Sequence, residues 1–103
     1  MLTVYGIKNC DTCRKALKWL SAEGIEHTFH DFRVDGLDPV NVARWADAAG
    51  WEKLLNRRGT TWRNLPEADK GGLDAASAQV LMAGNPTLIK RPVFDDGSQI
   101  LVG

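Results

Sequence analysis

The sequence predicts an α/β fold: a β-α-β unit, a helical insertion and a C-terminal β-hairpin that together make a mixed four-stranded sheet. Three observations predict it. The first 32 residues run from an apolar strand pattern through a helical period into a second strand pattern. A connection of that length makes two neighbouring strands parallel. The middle of the chain carries helical spacing with capping residues, and its last stretch sets two strand patterns around the turn sequence "DDG".

Each element has its own justification. Leu2 to Ile7 holds valine, tyrosine and isoleucine with little charge, as a buried strand does. From Thr12 the period changes: Ala16, Leu17, Trp19 and Leu20 are apolar while Arg14, Lys15 and Lys18 are charged. That is an amphipathic helix, with Asp11 or Thr12 as its cap and Gly24 as its end. Ile25 to Phe32 predicts a second strand, followed by the turn "VDGLDP". Asp38 and then Pro39 form a cap and a first-turn proline, opening a helix through Ala49 that stops at Gly50. "WEKLLNRRGTTWRNL" continues with a short helical piece and an irregular arginine-bearing stretch. Asp74 to Ala83 is alanine-rich and helical, "PTLIKRPVF" reads as a strand, and "SQILVG" completes the hairpin. This order is the thioredoxin-like arrangement with helices inserted after the second strand, expected as one domain over residues 1–103. The sequence stops where such a fold adds a final helix, so that terminal helix is expected to be missing or disordered.

Composition bounds the function. Lys plus Arg equals Asp plus Glu at 13 each, so no overall field favours nucleic acid or an anionic membrane. No apolar run reaches the roughly 18 residues of a membrane span. The opening "MLTVYGIKNC" lacks the pattern of a secretory signal. A cytoplasmic protein is expected, monomeric and without direct nucleic-acid or membrane contact.

Two thiols in a reducing compartment point to chemistry more than to a structural bridge. A metal site is one alternative: Cys10, Cys13, His27 and His30 form C-x2-C-x13-H-x2-H. The gaps depart from those of a zinc finger. In a strand, positions 27 and 30 also face opposite sides, so both histidines cannot close one tetrahedron with the cysteines. No metal is expected.

Cys10 instead falls at the strand-to-helix turn, where backbone N–H groups and the helix's positive end stabilise a thiolate. Lys8 adds positive charge nearby and Asp11 subtracts some. Cys13 lies a turn further into the helix and is expected to be the more buried, resolving the mixed disulfide that Cys10 forms. Free cysteines also pack simply as small apolar residues, which stays open, most of all for Cys13. In "NPTLIKRPVF", Pro92 sits where thioredoxin-like folds place a cis-proline facing the active cysteine, which sets Arg91 near Cys10. A guanidinium there pairs with a thiolate or grips an oxyanion; a surface arginine is the bland alternative. In "LLNRRGTTWRNL", Arg57, Arg58 and Arg63 surround Trp62, and Gly59 allows a tight turn that aims Arg58 inward. A solvated basic loop remains the equal alternative. Arg58, Arg91 and the helix N-terminus would together suit carboxylates or a small oxyanion.

"VYGIKNCDTCRKAL", "LLNRRGTTWRNL" and "IKRP", in this order, resemble the arsenate reductase (ArsC) family, specifically its YffB/Spx-like branch. "RVDGL" and "GTTWR" are especially YffB-like. The resemblance implies a thioredoxin-like domain with Cys10 as catalytic thiol. Thr12 and Arg14 agree with the "GTSR" that follows the cysteine of arsenate reductases, and Cys13 takes the position of its serine, as in the cysteine pair of Spx proteins. Arg91 matches the family arginine before the proline, and Arg58 best matches that of the middle segment, with Arg57 as the neighbouring alternative. Lys8, Asp11, Thr12 and Pro92 complete the expected substrate and anion site. Arsenate reductases carry "HNPAC" where this chain has "GIKNC", with Gly6 in place of the histidine, and their third arginine lies beyond the final strand. The implied function is that of a glutathione-dependent thiol reductase acting on a disulfide or small oxyanion, with no bound cofactor, glutathione as co-substrate and glutaredoxin as a further partner. Arsenate reductase and an Spx-like redox-sensing regulator that binds RNA polymerase are the alternatives.

Overall fold

In the computed structural model, which describes residues 2–103, the chain divides into two compact units. One comprises residues 2–36 and 91–103, the other Leu37–Lys90.

The first unit holds β1 (Leu2–Gly6), α1 (Asp11–Ala22), β2 (His27–Asp31) and, from the end of the chain, β3 (Val93–Asp95) and β4 (Ile100–Val102). The sheet order is β2-β1-β3-β4. β1 pairs with β2 in parallel and with β3 antiparallel, and β3 pairs antiparallel with β4. The sheet is therefore mixed and four-stranded, as the element order predicts. Val4, opposite Phe29 on one side and Phe94 on the other, is fully buried, and Ile7, Leu20, Phe32 and Val93 complete the core of this unit. Gly24, at φ 68°, lets the chain turn back after α1 so that the Ile25 N–H reaches the Leu20 carbonyl at 3.0 Å. β2 starts at His27, which pairs with Leu2 of β1. The hairpin closes on Asp96, whose carboxylate accepts the N–H groups of Ser98 and Gln99 at 2.9 and 2.6 Å.

The second unit is helical: α2 (Pro39–Ala49), α3 (Trp51–Leu54), the single turns α4 (Thr60–Arg63) and α5 (Glu67–Lys70), and α6 (Ala75–Gly84), followed by a 3₁₀ turn at Pro86–Leu88. Asp38 caps α2 by accepting the Val40 N–H at 2.9 Å, Pro39 occupies the first turn, and Gly50 ends the helix at φ 90°. Asp74 and Ser77 close a reciprocal capping box on α6. Trp45, Leu54, Leu55, Met82, Leu88 and Ile89 are all essentially inaccessible and form the core of this unit.

Two expectations are corrected. "PTLIKRPVF" is not one strand: Pro86–Leu88 is a 3₁₀ turn, Ile89 forms an isolated bridge with Leu55, and β3 begins at Val93. Pro86 and Pro92 lack the N–H a ladder needs and fix φ, so no continuous strand can cross them. The supposedly irregular arginine stretch contains the helical turn α4. Among the described residues, no helix is long and apolar enough to cross a membrane.

Candidate active site

The site is built on the turn between β1 and α1. The Cys10 N–H donates to the Ile7 carbonyl at 3.1 Å, closing a tight turn over Lys8 and Asn9. The turn is pinned from β2. The buried Asp31 carboxylate accepts the Lys8 N–H at 2.8 Å, and also those of Arg33 and Val34 at 2.7 and 3.2 Å. The Phe32 N–H donates to the Gly6 carbonyl at 2.8 Å. Burial pushes the Asp31 carboxyl up, but the three N–H groups, led by Lys8, outweigh it and hold the group below its ordinary value.

Cys10 itself is the N-cap of α1, with extended backbone at φ −94° and ψ 122°. This corrects the expectation that Asp11 or Thr12 caps the helix. The Cys10 carbonyl already accepts the first intrahelical bond, from Arg14 N–H at 3.0 Å. The sulfur thus occupies the place of a capping oxygen, although it forms no cap hydrogen bond of ordinary length. Partial burial pushes the Cys10 thiol up. Against this act the Cys13 N–H, the Arg91 guanidinium, the Cys13 thiol and the Thr12 N–H, and together they bring it below its ordinary 9.0.

Cys13, three residues on, is 1% exposed and is the more buried of the pair, as expected. Burial pushes its thiol up to about 11; the Ile7 backbone partly offsets this, and the neighbouring Cys10 sulfur adds to it. Both cysteines are free thiols. At neutral pH the pair is therefore asymmetric: Cys13 keeps its proton and offers it to Cys10.

Arg91 and Pro92 meet the same sulfur from the opposite end of the sequence. The Arg91–Pro92 bond is cis, Pro92 is buried, and the Arg91 side chain reaches Cys10, as the "IKRP" motif predicts. Cys10, Cys13, the Thr12 N–H, Arg91 and Pro92 are thus brought together. Lys8 and Asp11 stand beside them and are exposed. Asp11 is turned toward Arg14, 3.8 Å away. Arg14 also reaches back over the turn, donating to the Lys8 carbonyl and to Asn9 Oδ1 at 3.3 and 3.4 Å. Lys8 and Arg14 line an open cleft of about 520 Å³ whose apolar wall is Leu17, Phe29 and Val34.

Arg58 belongs to the helical unit, on the exposed stretch before α4. Its N–H donates to Asn56 Oδ1 at 3.1 Å. Gly59 does not form the inward-aiming turn expected of it: its backbone is extended at φ −84°, and a Cβ there would lie 3.2 Å from Asn56 Nδ2. The Arg57 guanidinium lies 5.8 Å from the ring centres of both Trp51 and Trp62.

The histidines have local partners. His27 Nδ1 donates to the Ile25 carbonyl at 2.8 Å, and His30 Nε2 to the Gly36 carbonyl at 2.6 Å. No group of three or more His, Cys, Asp or Glu among the described residues could hold a metal ion. Sequence reasoning missed Asp31: in "IEHTFHDF" it is one of two acids among several polar residues, and no local signal marks it as the one that holds the turn.

Comparison with known proteins adds four findings. Residues 5–103 match the ArsC family. A solved structure of the YFFB (PA3664) protein superposes with a TM-score of 0.96 at 46% identity, covering 100% of this chain and 90% of that one. The solution structure of an arsenate reductase (ArsC) related protein from Brucella melitensis gives a TM-score of 0.81 at 49% identity, over 99% of this chain and 85% of that one. The global transcriptional regulator Spx of Streptococcus agalactiae serotype V is 26% identical over 105 residues, 100% of this chain and 76% of its own.

Proposed function

The chain belongs to the ArsC family, and from that premise we propose that it is a glutathione-dependent thiol-disulfide oxidoreductase with Cys10 as its nucleophile. One observation carries the reading: the Cys10 sulfur at the start of α1 faces two backbone N–H groups and the Arg91 guanidinium, which favour the thiolate. A thiolate is the attacking form of a cysteine.

In the proposed reaction the Cys10 thiolate attacks one sulfur of a substrate disulfide. The new bond is a mixed disulfide, and the other substrate sulfur leaves with the electron pair and takes up a proton. Cys13, after losing its proton, attacks the Cys10 sulfur and releases the second half of the substrate as a thiol, leaving a Cys10–Cys13 disulfide. Two glutathione molecules then reduce that disulfide and depart as glutathione disulfide, restoring both thiols. Arg91 and Thr12 N–H hold the charge on sulfur in each step. Lys8 supplies positive charge for a carboxylate of glutathione, with Asp11 at the rim and Pro92 shaping the wall beside Cys10; Arg58 is a further candidate for anion binding on the helical unit.

The test is turnover of a small model disulfide with glutathione, coupled to glutathione reductase. Cys10→Ser is expected to abolish it and Cys13→Ser to retain a monothiol route, with glutathione attacking the mixed disulfide directly. Undiminished turnover in Cys10→Ser overturns the proposal. Arsenate, offered to the same assay in place of the disulfide, tests the alternative substrate.

A second reading has its own support in the cysteine pair and in the likeness to Spx. As a redox-sensing regulator the chain would retain RNA polymerase on a column in one oxidation state, lose that response when either cysteine is replaced, and show no glutathione turnover.

A further inference from the structure

Gly6 closes β1 and is buried, yet its backbone does not require glycine: it is absent from the glycines with positive φ. Its carbonyl is used in an ordinary way, accepting the Phe32 N–H. What requires glycine is space. A Cβ at this position would collide with Cys13 Sγ, and would lie 3.6 Å from both Cys13 Cβ and Phe29 Cε1. The Cys13 sulfur therefore fills the notch left by the missing side chain, where it is 1% exposed.

We propose that Gly6 is the positioning residue of the thiol pair: the empty volume at its Cα seats Cys13 Sγ within reach of Cys10. The inference rests on the reading that Cys10 is the reactive thiol. Cys13 is the third residue of α1, and a helix leaves its χ1 essentially two wells. A side chain at position 6 denies the sulfur its present place and drives it toward the other well or out of register with β1. Either displacement takes the Cys13 proton away from the Cys10 sulfur. It also breaks the alignment in which the Cys13 thiolate attacks Cys10 Sγ, expelling the bound half of a mixed disulfide with its electron pair. Gly6 thereby determines whether the chain acts as a dithiol or only as a monothiol.

The experiment compares the wild type with Gly6→Ala, Cys13→Ala and the double variant Gly6→Ala/Cys13→Ala. Each is treated with one equivalent of the aromatic disulfide DTNB, and release of its chromophoric thiol is followed. In the wild type, attack by Cys10 releases one thiolate, and attack by Cys13 on the mixed disulfide releases a second at a rate independent of protein concentration. Gly6→Ala is expected to keep the first release and to slow the second by at least about tenfold, as a displaced reactive group does. The pH midpoint of Cys10 alkylation is expected to rise in Gly6→Ala, and to be the same in Cys13→Ala and the double variant.

A second release at the wild-type rate in Gly6→Ala overturns the assignment. So does an equal midpoint shift in both backgrounds, because the alanine would then act through β1 and not through the sulfur. If Gly6→Ala does not fold, the double variant, which lacks the colliding sulfur, is expected to fold; failure of both also overturns it. An ordinary midpoint for wild-type Cys10 together with an intact second release would strike the thiolate reading alone and leave Gly6 in its role.

Discussion

Lys8 and Asp31 stand 23 residues apart in the chain, and the Asp31 carboxylate accepts the Lys8 N–H at 2.8 Å. This contact ties the turn that presents Cys10 to the end of the neighbouring strand, so the position of the sulfur depends on the carboxylate that closes β2. Replacing Asp31 by Asn leaves one neutral acceptor oxygen where two carboxylate oxygens accept three N–H groups, and is expected to cost about 2 kcal/mol in a urea melt at neutral pH. The sign of its pH dependence follows from the lowered folded pKa. The stabilisation is complete above the ordinary value of 3.8 and is lost as the pH falls through the folded value. The gap between wild type and Asp31→Asn should therefore close in acid. A gap that stays constant from neutral pH to pH values below the carboxylate range would refute the electrostatic account.

Arg91 reaches the same sulfur from beyond the helical segment. With its guanidinium replaced in Arg91→Gln, the Cys10 midpoint should rise, since one of the groups that lower it is gone while burial still pushes it up. Each unit of rise reduces the thiolate fraction at neutral pH about tenfold. Alkylation and reductase turnover should fall in parallel while the melting temperature changes little. Equal loss of both rates at every pH, with no movement of the midpoint, would mean that Arg91 serves substrate binding and not the thiolate.

Cys13 should be silent in the folded protein. It is buried, with its thiol pushed up to about 11. At neutral pH, iodoacetamide should label one thiol per chain, at Cys10, and mass spectrometry should find Cys13 labelled only after denaturant is added. Raising the pH toward 11 should open the second site without denaturant. Equal labelling of both thiols at neutral pH would show that the two environments are not distinct.

The parts of this architecture that sequence makes legible are those with local causes. α2 runs between Asp38–Pro39 and Gly50 as predicted, because cap, proline and terminating glycine are all adjacent to the ends they determine. Cys10, Cys13 and the Arg91–Pro92 pair were legible from residue type and motif order. Asp31 was not, because its role lies in a bond to a residue 23 positions away. The Cys10 cap was missed because Asp and Thr are the better capping residues and both follow it directly. "PTLIKRPVF" was misread because an apolar run of that length does not distinguish a buried 3₁₀ turn from a strand. The need for glycine at position 6 lay likewise in a sulfur seven residues on, visible only once α1 is folded onto β1.

The last prediction separates the two adjacent arginines of the helical unit. Arg57 lies over the rings of Trp51 and Trp62, so its side chain helps to hold α3 and α4 within that unit. Arg57→Ala should lower stability by about 1 kcal/mol, the scale of an exposed cation–π contact, with little change in KM for glutathione. Arg58 is exposed, and the contact it makes to Asn56 uses its backbone N–H, which alanine would keep. Arg58→Ala should leave the melt unchanged and raise KM for glutathione about two- to fivefold, the worth of a single solvent-exposed charge contact with a carboxylate. The two effects are read from a thermal melt and a glutathione titration on the same samples. If Arg57→Ala carries the KM effect and Arg58→Ala does not, the anion-binding role belongs to Arg57, and the register of this loop shifts by one residue.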